Sequence, residues 1–204
     1  MTPVEKLQLK NAAMRVLHAP GGPLSQKGSR PMAQPSASNA AWTGGTKSAA
    51  SKALLEMTLV FDMSLSQEKV RAAGADIISA LKNADEIFRN VRCNVVWWHS
   101  DEKILHEVAA APMIQMGRSF EGWEQNLQKK RLGILMDDLK KFQARARLLI
   151  VVTNETEVFE DAKLLHDSLN PFLYHRLILV TPSGLMTGRQ LLAKCSGMLC
   201  SKND

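Results

Sequence analysis

Apolar and polar positions along this chain switch between a helical and a strand period, and the switches mark out its elements. Val4, Leu7, Met14 and Leu17 recur at helical spacings, which predicts a short amphipathic helix over Val4 to Leu17. From Ala19 to about Ser51 the pattern is lost. Pro, Gly, Ser and Ala dominate there, and Leu24, Met32 and Trp42 are the only sizeable apolar groups, which predicts a flexible linker. Periodicity resumes at Leu54. Leu55 to Asp62 is a run apolar on both faces, as in a buried strand. A helix over Ser66 to Asn83 follows, with Val70, Ala73, Ile77 and Leu81 inward. Cys93 to His99 is a second strand, Ser100-Asp101-Glu102 a turn, and Lys103 to Ala109 a short strand pairing back as a hairpin. Past Pro112 and Gly117 the spacing of Trp123, Leu127, Ile134, Leu135, Leu139 and Phe142 predicts a long helix, Gly122 to Ala144. Leu148 to Val152 and Leu177 to Val180 read as central strands. Between them a helix over Val158 to Leu169 stops at Pro171, and a last helix carries Leu191, Leu192 and Cys195.

The resulting order, βαββαβαβα, implies an α/β three-layer sandwich: a doubly wound, mostly parallel, Rossmann-like sheet with one antiparallel edge strand. The expected division is a helix or arm over 1–18, a linker over 19–52 and an α/β domain over 53–204. At 204 residues the chain is long enough for one domain with its own core. The net charge of +6 is unevenly spread. Residues 1–50 hold six basic residues (Lys6, Lys10, Arg15, Lys27, Arg30, Lys47) against Glu5, and the remainder is nearly balanced. A neutral domain behind a basic arm offers only slight support for nucleic acid. No apolar run approaches the ~20 residues of a membrane span. The amino terminus lacks a charged leader with an apolar core, and Cys93, Cys195 and Cys200 show no metal-ligand spacing. Buried or free thiols in a reducing, cytoplasmic setting are expected.

Candidate chemistry lies where strands end. Asp62, Ser64 and Ser66 follow the first strand as D-x-S-x-S, Thr153-Asn154-Glu155-Thr156 follows the fourth, and Thr181-Pro182-Ser183-Gly184 the last. Ligands of open α/β sheets bind at such carboxyl ends, in the crevice where strand order reverses. Hard oxygens there suit Mg2+. The same residues also suit a structural role. Ser64-x-x-Gln67 has capping-box spacing, Asp62 could accept from helix amides, and Asn154-Glu155 could form a turn.

The placement of D-x-S-x-S and of Thr153-Asn154, together with the edge hairpin, resembles the von Willebrand factor A domain family over roughly Glu56 to Cys200. The resemblance implies a metal-ion-dependent adhesion site in which Asp62, Ser64, Ser66 and Asn154 hold Mg2+ and a partner's acidic side chain completes the coordination. Ser119, Thr153 and Glu155 would then face the partner. Two positions depart from the family pattern. Asn154 replaces an aspartate, and Trp123 stands near the expected threonine, with Ser119 the nearest hydroxyl. The expectation is a degenerate site with weakened Mg2+ affinity in a protein–protein interaction module, not an enzyme.

The rival expectations are a Mg2+-dependent phosphatase or nuclease built on Asp62 and a nucleic-acid-associated protein using the basic arm. A phosphatase D-x-D would need an acid in place of Ser64. Lys129-Lys130-Arg131, Lys140, Lys141, Arg145 and Arg147 give the long helix a basic outer face, interrupted by Glu124, Asp137 and Asp138 and best read as solvated. Asp101, Glu102, His99 and His106 read as a solvated turn and not a metal cluster. Trp97 and Trp98 fall on opposite faces of their strand. His166 and His175 flank a loop without evident partners, and no nucleotide-binding or nucleophile motif is present.

Overall fold

The computed structural model describes residues 1–18, 56–82, 91–107, 125–128, 130–154, 162–169 and 171–200. The linker, Ser119, Trp123 and Glu155 therefore lie outside the described residues. The elements are α1 (Pro3–His18), β1 (Glu56–Asp62), α2 (Gln67–Lys82), β2 (Arg92–Trp98), β3 (Ile104–Glu107), α3 (Leu132–Leu139) with a 3-10 turn over Lys140–Phe142, β4 (Ala146–Val152), α4 (Ala162–Ser168), α5 (Pro171–Arg176), β5 (Leu177–Thr181), β6 (Gly184–Thr187) and α6 (Gly188–Cys200).

The strands form one six-stranded mixed sheet in the order β3-β2-β1-β4-β5-β6. The four central strands run parallel, and β3 and β6 close the two edges antiparallel to β2 and β5. This α/β architecture is consistent with a Rossmann-like fold. Alternation along the strands divides the interior in two. Met57, Leu59 and Phe61 face one core with Val70, Ile77 and Leu81 of α2 and Leu9 and Ala13 of α1. Val60, Val96, Trp98, Leu149 and Val151 face the other, packed by α3 to α6. Trp97 and Trp98 are both buried, one in each core; Trp97 stacks on Phe61 with centroids 5.5 Å apart. No helix among the described residues is long and apolar enough to cross a membrane.

Several elements depart from the expected pattern. In α1, Leu9 and Ala13 are fully buried and Met14 packs partly buried against the same core as expected, while Val4 and Leu7 are 64% and 55% exposed, so the inward face is shifted from the expected one. The long helix expected over Gly122 to Ala144 is not continuous. Residues 125–128 are non-helical and α3 begins at Leu132, because this stretch bonds to the sheet edge instead; Leu127, expected inward, is 77% exposed. Pro171 ends α4 and also opens α5, where its fixed φ and missing N–H cost nothing. His166 in α4 and His175 in α5 flank the connection between these two helices, as expected. Thr181 to Gly184 forms a hairpin turn into β6, with Gly184 at φ +131°, a conformation that excludes most side chains.

Candidate functional site at the carboxyl edge of the sheet

Strand order reverses between β1 and β4, and sheet register decides which residues meet there. Phe61 pairs with Val152 and Asp62 with Trp98. One position further, Thr153 stands abreast of Asp62. Asp62, Trp98 and Thr153 thus form a row across three strands on the α3 face of the sheet, each at most 1% exposed. The Thr153 hydroxyl donates to Asp62 Oδ2 at 2.7 Å, and the Ser64 amide donates to Asp62 Oδ1 at 2.8 Å. Asn154 Nδ2 donates to Ser64 Oγ at 3.1 Å. The two polar segments singled out in the sequence are therefore joined through Asp62–Thr153 and Ser64–Asn154.

Ser66 has a different task. Its hydroxyl accepts the Lys69 amide at 3.4 Å and its carbonyl accepts the Val70 amide, so Ser66 caps α2. The capping-box spacing pointed to Ser64, two residues earlier, but Ser64 is engaged by Asp62 and Asn154.

The unexpected member of the site is Lys130. The basic triplet reads as part of a solvated helical face, yet Lys130 is 0% exposed. Its Nζ lies 2.5 Å from Asp62 Oδ1, 3.3 Å from the Trp98 carbonyl and 3.4 Å from the Asn126 carbonyl, which gives each ammonium proton an oxygen. The ammonium also stands 5.6 Å from the centroid of the Trp98 ring. Residues 125–131 hold it there. Gln125 Nε2 donates to the Ser64 carbonyl at 2.8 Å and the Asn126 amide to the Met63 carbonyl at 2.7 Å. Arg131 binds both carboxylate oxygens of Asp101 at 2.7 and 2.8 Å. Backbone pairing to β1 competes with helix formation here and wins.

Burial pushes the Asp62 carboxyl up. The Lys130 ammonium, the Ser64 amide and the Thr153 hydroxyl outweigh it, so Asp62 is held below the usual carboxylate range and is ionised at neutral pH. No spacing rule could have selected Lys130 among 26 basic residues. The available signal is indirect: a carboxylate at the end of a doubly buried strand needs a counter-charge.

The donor set does not fit a resident divalent cation. The Asp62 oxygen that would ligate one already accepts an ammonium and an amide, and a dication would face a buried positive charge. Among the described residues no three His, Cys, Asp or Glu side chains come together as a metal cluster. Asp101 is engaged by Arg131, and His106 Nε2 lies 3.0 Å from Asp138, so the turn after β2 divides its charges between different partners. Further along the basic face Lys140 pairs with Asp137 and Lys141 with Asp138.

Beside this row, on the opposite face, a crevice of about 260 Å³ opens between the ends of β4 and β5, the first turns of α2 and the start of α1. Leu65, Ala73, Val152, Val180 and Leu185 give it an apolar floor, with Glu5 and Lys69 at the rim. No protein-family model matches the chain, and no curated protein matches it either.

Proposed function

We propose that this protein is an interaction module of von Willebrand factor A type that docks a protein partner at the carboxyl edge of its sheet. The observation that carries this reading is the apolar crevice of about 260 Å³ beside the β1/β4 switch point, rimmed by one acidic and one basic side chain. Such a recess takes an apolar side chain of a partner, with its neighbours meeting Glu5 and Lys69. The D-x-S-x-S segment after β1, its bonds to Thr153 and Asn154 after β4, and the edge hairpin support the kinship.

An acidic side chain bridged by Mg2+ is not needed for this recognition, because Asp62 already has its cation. A hydrolase built on Asp62 is not favoured either, since both carboxylate oxygens are engaged and buried. The phosphate-binding reading is weakened by pairing of Lys6 with Asp76 and of the α3 lysines with Asp137 and Asp138.

The test is affinity capture with the full chain and with Ala73→Arg, which fills the crevice. Partners that dock there fall at least ~10-fold with the variant, as expected when a central contact is blocked. Chelator leaves capture unchanged. A captured set that is the same for both proteins, with equal melting temperatures, would refute the crevice as the docking site.

A further inference from the structure

The strongest unexplained feature of the molecule is a lysine with no exposed surface placed among oxygens at a strand end. Its surroundings are those of a cation site: the Asp62 carboxylate at 2.5 Å and the carbonyls of Trp98 and Asn126 at 3.3 and 3.4 Å, with Thr153 Oγ1 on the same carboxylate and Ser64 Oγ, bonded to Asn154, two residues further along the chain. Among the described residues one buried carboxylate faces one buried ammonium, and a second cation would add uncompensated positive charge in a water-poor site.

We propose that Lys130 is this site's own cation. Its ammonium, tethered by the chain, takes the place that a divalent metal would take beside Asp62, and the same oxygens accept Mg2+ or Mn2+ once the ammonium is removed. Carboxylate, hydroxyl and carbonyl oxygens are the ligands these hard ions prefer. A covalently attached cation also needs no supply and loses no translational freedom on binding, so the carboxyl edge is held in one arrangement at any metal concentration. The non-helical path of residues 125–128, 130 and 131 follows from this role: Asn126 and Gln125 pin the segment to Met63 and Ser64, just past β1, so that Lys130 points inward.

The inference concerns the ion at Asp62 and not the partner in the crevice, so cation response and partner capture can fail separately. The test follows thermal unfolding of wild type, Lys130→Ala and the double variant Asp62→Asn/Lys130→Ala, with millimolar MgCl2 or MnCl2 and with chelator. Wild type shifts by no more than about 1 °C with either metal. Lys130→Ala loses about 10 °C, because a buried carboxylate is left alone, and Mn2+ restores much of that loss in a chelator-reversible way. The double variant shows no response.

If Lys130→Ala does not fold alone, it is refolded from urea with and without Mn2+. Folding with the metal only supports the proposal, and failure in both overturns it. A folded Lys130→Ala that ignores both metals would leave an ordinary buried ion pair, and a saturable wild-type response abolished by Asp62→Asn would show that the metal and not Lys130 serves the site. Either result overturns the proposal.

Discussion

Asp62 and Lys130 illustrate how much a single pair can decide when neither group reaches water. Removing two charges from water is costly, and their attraction offsets that cost only when the remaining donors and acceptors are satisfied. Here they are, through Ser64, Thr153 and two backbone carbonyls. Breaking the pair from one side should therefore cost about 3–5 kcal/mol, in Asp62→Asn as in Lys130→Met, whereas Asp62→Asn/Lys130→Met should recover most of it. Urea unfolding of the four proteins measures this, and additive losses would mean that the two groups are not coupled.

The pH dependence has a definite sign. Asp62 has a lower pKa folded than unfolded, so its contribution is complete above the unfolded value and is lost as pH falls through the folded one. Wild type should lose stability below about pH 4 more steeply than the double variant, as read by urea midpoints across the acid range. Burial pushes the Cys93 thiol up to about 12, and Cys195 is buried as well. Neither should react with a thiol reagent at neutral pH until the protein unfolds. Labelling of either at the native rate of an exposed thiol would contradict their placement.

Helices dock on this sheet through small contacts that can be tested one at a time. In α1, Leu9→Ala should cost about 2–5 kcal/mol and Leu7→Ala under ~0.5, because only Leu9 reaches the core. The opposite order would place the helix by its Val4–Leu7 face. In α6, a Cβ at Gly188 would come within 2.6 Å of the Tyr174 Cα, backbone that cannot step aside, whereas at Gly197 it would meet open space. Gly188→Ala should therefore destabilise, and Gly197→Ala should stabilise by about 0.5–1 kcal/mol through helix propensity. The two substitutions are chemically identical, so thermal melts that move the same way would refute the α5–α6 contact. The segment before α3 gives up helical bonds at residues 125–128 in exchange for bonds to β1, which is why its hydrophobic spacing misleads.

Two helical layers on one sheet keep the buried ion pair and the open crevice on opposite faces. The row of Asp62, Trp98 and Thr153 lies on the α3 face and is closed by Lys130, while the crevice lies on the α2 face and stays open. Adjacent positions on the same strands serve the two, since successive side chains point to opposite sides: Val152 lines the crevice and Thr153 binds Asp62. The ion pair thus holds the strand ends that shape the crevice, the proposed docking surface. Lys130→Ala should weaken partner capture only as far as it loosens this edge, whereas Ala73→Arg should abolish capture with the edge intact.

Much of this arrangement is written in local periodicity. Runs apolar on both faces identified β1 as a buried strand and β4 and β5 as central ones, and polar residues at strand ends placed Asp62, Ser64, Thr153 and Asn154 at one edge. Other features depend on contacts too distant for periodicity to carry. β6 is four half-buried residues with no alternation, and α5 is a short helix hidden behind a proline that reads as a stop. The inward face of α1 is defined by a sheet that begins some forty residues later. Lys130 is the clearest case. Its neighbours Lys129 and Arg131 make it look like one of a solvated triplet, and what buries it is a carboxylate 68 residues away. Periodicity reports which side of an element faces an interior, because that is a local pattern of transfer energies. Which charge neutralises which is a property of the folded edge alone.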